Sequence, residues 1–127
     1  MRYLSLQEVQ KIHDDMLGDI GGLKGANTKQ IDLLDSALTQ IQNDKYYPSF
    51  IDKLTHLMFA CVKFHPFVDG NKRTALLIGD AFIILNHKAT PKDFYQRLEN
   101  VIVSVASDEI SKDGLKQILS AMLKGAE

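Results

Sequence analysis

NKRTALLIGDAFIILN, residues Asn71 to Asn86, is the element around which this chain must fold. Ala75, Leu76, Leu77, Ile78, Ala81, Phe82, Ile83, Ile84 and Leu85 leave almost no polar face on a helix of this length. A helix apolar on nearly every side belongs inside a bundle. On its N-terminal side, Ile51, Leu54, Met58, Cys61 and Val62 keep helical spacing up to Phe64, with Pro48 suited to the first turn and Pro66 ending the element. Ile31, Leu34, Leu38 and Ile41 trace an earlier helix closed by Asn43 and Asp44. Leu6, Val9, Ile12 and Met16 trace the first, which Ser5 and Glu8 open as a capping box, with Leu4 and Val9 as its hydrophobic staple. That helix is expected to end near residue 17, because Gly18, Gly21, Gly22 and Gly25 follow.

Beyond the core stretch, Thr90, Pro91 and Asp93 make a helix-start signature, and Phe94, Leu98, Val101, Ile102 and Val105 continue it. Val101 to Val105 would also suit a strand, but the capped segment is too long for one. Ser111 caps a last helix whose buried face is Leu115, Ile118, Leu119, Met122 and Leu123. The expectation is an all-α fold, a compact single domain over residues 1–127 with about six helices around a buried central one.

Composition narrows the function. An apolar fraction of 45% with 24% charged residues is that of a globular protein, not of a disordered or fibrous chain. The 15 basic and 16 acidic residues nearly cancel, so no overall field draws the molecule to nucleic acid or an anionic membrane. The single cysteine, Cys61, cannot form an internal disulfide, the N-terminus lacks a signal-peptide core, and no apolar run is long enough to span a bilayer. A cytoplasmic location follows as the expectation.

One cluster carries chemistry: His65-Pro66-Phe67-Val68-Asp69-Gly70-Asn71-Lys72-Arg73, between the third helix and the core helix. Gly70 turns the chain into a helix whose first N–H groups lack internal partners, which makes an anion site. Lys72 and Arg73 fall in the first helical turn, where positive charge opposes the helix dipole and a bound phosphate would resolve the conflict. Asp69 offers a hard oxygen suited to Mg²⁺. Histidine titrates near neutral pH, so His65 suits a general base for an attacking hydroxyl. Pro66 holds the turn and Phe67 anchors it in the core.

HPFVDGNKRTA closely resembles the signature of the Fic/Doc family: His-Pro-Phe, any residue, Asp or Glu, Gly, Asn, Gly or Lys, then Arg. In layout the resemblance covers most of residues 1 to 90. It implies that His65 deprotonates a target hydroxyl, that Asp69 binds Mg²⁺, and that Gly70, Asn71, Lys72 and Arg73 hold the phosphates of ATP. AMP-transferring members usually have Gly where this chain has Lys72, and a second Arg where it has Leu76. Both departures resemble the Doc (death-on-curing) branch, whose members transfer the terminal phosphate to a threonine of elongation factor Tu; Asp69-Gly70 is the Fic-like spelling. The resemblance thus implies the toxin of a type II toxin–antitoxin system, with AMP transfer and a catalytically silent binding module as alternatives.

In the family, the place of Gly18 to Lys29 is taken by a flap that positions the target peptide, here Gly21, Gly22, Leu23, Lys24 and Gly25; the plain alternative is a flexible connector. Self-inhibited members carry Ser or Thr four residues before a glutamate on an internal helix. Glu8, Glu99, Glu109 and Glu127 are preceded at that distance by Leu4, Tyr95, Val105 and Leu123, so inhibition is expected in trans, from an antitoxin protein. The expected partners are thus an antitoxin and a translation-factor substrate, without direct nucleic-acid or membrane contact. His13, His56 and His87 have no ligand-spaced companion and read as surface or internally satisfied residues, and Cys61 as an inert core thiol. Tyr46, Tyr47 and Phe50 read as packing at a helix start.

Overall fold

The computed structural model describes residues 1–124. Six helices follow in order: α1 Leu6–Ile20, α2 Gln30–Gln40, α3 Phe50–Lys63, α4 Asn71–Leu85, α5 Phe94–Ala106 and α6 Lys112–Met122. Among the described residues the only extended pairing is a single antiparallel bridge between Ala26 and Phe67. The all-α expectation holds. Glu127, one of the four glutamates counted above, lies outside the described residues.

The capping signals act as read at two ends. Ser5 accepts from the Glu8 N–H while Glu8 accepts from Ser5, and the Ser111 hydroxyl accepts from the Gly114 N–H. Three other ends differ. α1 continues to Ile20 and closes at Gly21, so Gly18 is helical; a glycine near a helix end costs only about 1 kcal/mol, less than burying Met16 and Leu17 gains. α3 begins after Pro48, because Ser49 and Asp52 form a capping box of their own. Asp93 makes no capping bond at α5, and the Thr90 hydroxyl donates to Asp80 at 2.6 Å, drawn away by a carboxylate on α4. The segment 101–105 is helical.

The most enveloped helix is α3, which packs on α2, α4, α5 and α6. The continuous apolar run of α4 pointed to α4 instead, yet Ile84 is 60% exposed. What hydropathy hid is that α3 buries polar groups with their partners supplied. Lys53, 1% exposed, donates from Nζ to Asp44 at 2.7 Å and to the carbonyl of Ile41 at the end of α2. His56 is bonded to Gln40 at 2.9 Å. A buried charge is tolerable once paired and hydrogen-bonded. α3 and α4 come close where Gly79 faces Met58: a Cβ there would lie 2.6 Å from the sulfur. Phe82 of α4 stacks on Phe50 of α3 with centroids 5.0 Å apart. Tyr47 lies against His56 and Tyr46 stays 70% exposed, so of the three aromatics only Phe50 is buried. Cys61 is buried and burial pushes its thiol well up, in keeping with an inert core residue.

Candidate active site

The loop from Phe64 to Gly70 joins the two most closely packed helices, and three devices shape it. His65 is held at φ 48°, in the left-handed region that costs a non-glycine residue about 1–2 kcal/mol. Asn27 secures it there: its side-chain amide donates to the carbonyls of His65 at 2.8 Å and Phe67 at 3.1 Å, and its backbone N–H to Pro66 at 2.8 Å. The Val68 N–H donates to Gly25 at 3.0 Å, completing the bridge between the glycine-rich segment and the loop. Asn71 then closes the loop on itself, accepting from the Phe67 N–H and donating to the Phe67 carbonyl, each at 2.9 Å. Its side chain is therefore a brace as well as a candidate phosphate contact.

The third device is His13, almost fully buried on α1. Its Nε2–H donates to the Asp69 carbonyl at 2.7 Å, and its ring stacks on Phe67 at 3.8 Å and 9°. Since a carbonyl only accepts, Nε2 carries a proton in this contact. His13 is indeed a satisfied histidine, but what satisfies it is the loop itself. Neither His13 nor Asn27 stood out in the sequence, because their partners lie 56 and 38 or 40 residues away.

Asp69 is exposed, and both carboxylate oxygens accept backbone bonds, one from Gly70 at 2.9 Å and one from Leu23 at 3.1 Å. Each oxygen keeps a further lone pair. A single carboxylate suits Mg²⁺, which takes most of its ligands from phosphate and water. Among the described residues no three acidic, His or Cys side chains could form a metal cage alone. The bond from Leu23 also shows what the glycine-rich segment does locally: it lies over Asp69. A Cβ on Gly22, at φ 132°, would sit 2.9 Å from the Asp69 carboxylate and 2.8 Å from Leu17. Residues 21–25 are exposed, which suits a flap and a plain connector alike, and Gly25 and its neighbours already pair with the loop.

Gly70, at φ 80°, delivers the chain into α4, and no side chain caps that helix. The first backbone bond is Thr74 N–H to Gly70, so the N–H groups of Asn71, Lys72 and Arg73 have no intrahelical partner. They open on a cavity of about 510 Å³ lined by Asp69, Gly70, Asn71, Lys72 and Arg73. Its opposite walls are Met16 and Ile20 of α1, Leu76 and Leu77 of α4, and Tyr95, Glu99, Ile102 and Val103 of α5. Lys72 and Arg73 are exposed, and among the described residues neither belongs to an ion pair. Two unpaired cations at an uncapped helix N-terminus make an arrangement suited to an anion. His65 is not among the residues lining the cavity; it is exposed at the start of the loop. Tyr95, whose hydroxyl donates to Asp80 at 2.6 Å, and Glu99 are wall residues that sequence spacing gave no reason to place here.

Among the described residues no helix is long and apolar enough to cross a membrane. A relative, the toxin Doc of Mycolicibacterium smegmatis, is 31% identical over 100 residues, which is 75% of this chain and 77% of the relative. Residues 3–83 match the profile of the Fic/DOC family, a span running from the capped start of α1 through the loop from Phe64 to Gly70 and most of α4, and the chain belongs to that family.

Proposed function

We propose that the chain is a Doc-type toxin that transfers the terminal phosphate of ATP to a Ser or Thr hydroxyl of a translation protein, and that an antitoxin silences it in trans. One observation carries this reading. Lys72 lines the cavity beside Arg73, while the position of a second arginine is filled by Leu76, 7% exposed, also in the cavity wall. The cations among the lining residues are Lys72 and Arg73, side by side at the start of α4, where an outermost phosphate would be held, and Leu76 one turn further on adds no charge. The name of the M. smegmatis relative supports the toxin role.

In the proposed step, His65 removes the proton of the target hydroxyl, whose oxygen bonds to the terminal phosphorus as the bond to the bridging oxygen breaks and ADP leaves. Lys72, Arg73 and the free N–H groups of α4 hold the phosphates and take up the charge on the leaving oxygen. Asp69 would hold Mg²⁺, which when bound neutralises phosphate charge. The exposed flap would align the target peptide by backbone pairing. Ile20 and Val103, 57% and 50% exposed at the cavity's apolar rim, suit the apolar face of an antitoxin helix.

The toxin role is tested by expressing the chain alone in bacterial cells. Growth should stop with the native chain and continue with His65→Ala made at equal level. Unimpeded growth with the native chain would remove the toxin reading.

A further inference from the structure

Beside the N-terminal half of α3, a cleft of about 370 Å³ is lined by Tyr46, Tyr47, Asp52, Thr55, Lys112, Asp113 and Lys116. Lys112 and Lys116 stand one turn apart on α6 and face opposite chemistry. Lys116 donates to Asp52 at 2.7 Å, and that carboxylate raises its pKa. Lys112 instead has its Nζ 2.8 Å from Nδ1 of His56. The other ring nitrogen of His56, Nε2, is 2.9 Å from the side-chain oxygen of Gln40. That oxygen accepts only, so Nε2 carries the proton and Nδ1 presents a bare lone pair to the amine.

A neutral imidazole nitrogen brings no negative charge to the amine, so this bond holds Lys112 as a cation less firmly than the Asp52 carboxylate holds Lys116. Burial of Lys112 lowers its pKa further, outweighing the opposing pull of Asp52. The ring centroids of Tyr47 and Phe59 lie 5.7 and 5.8 Å from Nζ, at the outer edge of cation–π range, and such contacts favour the charged form weakly against the effect of burial. Nucleophile, acceptor and orienter thus stand in one hydrogen-bonded line at the wall of a cleft. Nothing in the proposed phosphate transfer uses them.

We propose that Lys112 is a modification site, its amine taking a small acyl group from an activated donor, an acyl phosphate or an acyl thioester. The amine nitrogen bonds to the carbonyl carbon, the carbon–oxygen or carbon–sulfur bond breaks, and phosphate or thiol leaves with the proton that the nitrogen loses. The product amide has no charge, which removes a cation from the first turn of α6 where it opposes the helix dipole.

The test treats the native protein with limiting acetyl phosphate in one arm and a small acetyl thioester in another, reading each lysine by peptide mass spectrometry. Lys112 should react measurably faster than Lys116 or the exposed Lys11, because burial favours its neutral amine while the Asp52 carboxylate holds Lys116 charged. The arm showing the preference names the donor class. A Lys112 rate at or below that of Lys116 in both arms overturns the proposal. His56→Leu should abolish the preference, and Gln40→Leu, on exposed α2 surface, serves should the first variant unfold. A preference undiminished in a folded variant overturns the role of the His56 line.

Discussion

The Nε2 of His13 lies 2.7 Å from the carbonyl oxygen of Asp69, a bond that joins α1 to the loop across 56 residues. It fixes the residue proposed to hold Mg²⁺ by its backbone, leaving the carboxylate for the site. His13→Ala leaves that carbonyl without its donor and opens a void beside Phe67, at a cost of about 2–4 kcal/mol. Denaturant unfolding should show the loss, and His13→Gln, which retains a donor, should recover part of it. An alanine variant as stable as the native chain would mean that the contact does not hold the loop.

Gly22 packs where any side chain would meet the Asp69 carboxylate. Gly22→Ala should push Asp69 aside and weaken Mg²⁺-dependent ATP binding by about tenfold, equivalent to about 1.4 kcal/mol. Titration calorimetry with and without Mg²⁺ checks this. Unchanged binding would separate the flap from the metal position.

Arg73→Ala and Lys72→Ala each remove a charge-assisted contact to phosphate in the proposed complex. Each should weaken ATP binding by about 1.5–3 kcal/mol, while leaving thermal stability within about 0.5 kcal/mol, because both side chains are exposed and unpaired. Removing a cation from the first turn of α4 relieves its conflict with the helix dipole and breaks no ion pair, so a large fall in melting temperature would contradict the free-cation assignment.

His56 predicts a pH dependence. Burial, and next the charge of Lys112, lower its pKa from 6.5 to about 4. Between those values the unfolded chain binds a proton that the folded chain refuses, so stability is complete above 6.5 and declines as pH falls toward 4. The slope contributed is at most about 1.4 kcal/mol per pH unit. Unfolding curves across this window should flatten in His56→Gln; an unchanged slope would assign the dependence to other groups.

Much of this was legible in the sequence where the signal is local. The Ser5–Glu8 box, the Ser111 cap and the run His65 to Arg73 are read from residues a few places apart, and the site residues Asp69 to Arg73 do line one cavity. What was not legible depends on distant partners. Lys53 and His56 made α3 look less buried than α4, although their polar atoms are met by α2, the turn after it and α6. His13 and Asn27 brace the loop from other elements, and no spacing rule predicts such contacts. Thr90 offered a cap to α5, but Asp80 on α4 took its hydroxyl.

The central claim, that the His65 to Arg73 loop passes a terminal phosphate to a protein hydroxyl, is tested most directly with two preparations of ATP, one labelled on the terminal phosphate and one on the innermost. Each is incubated with the chain and a bacterial translation extract. Terminal label should appear on a protein with the native chain and vanish with His65→Ala. Innermost label on protein, or terminal label that persists without His65, would contradict the account.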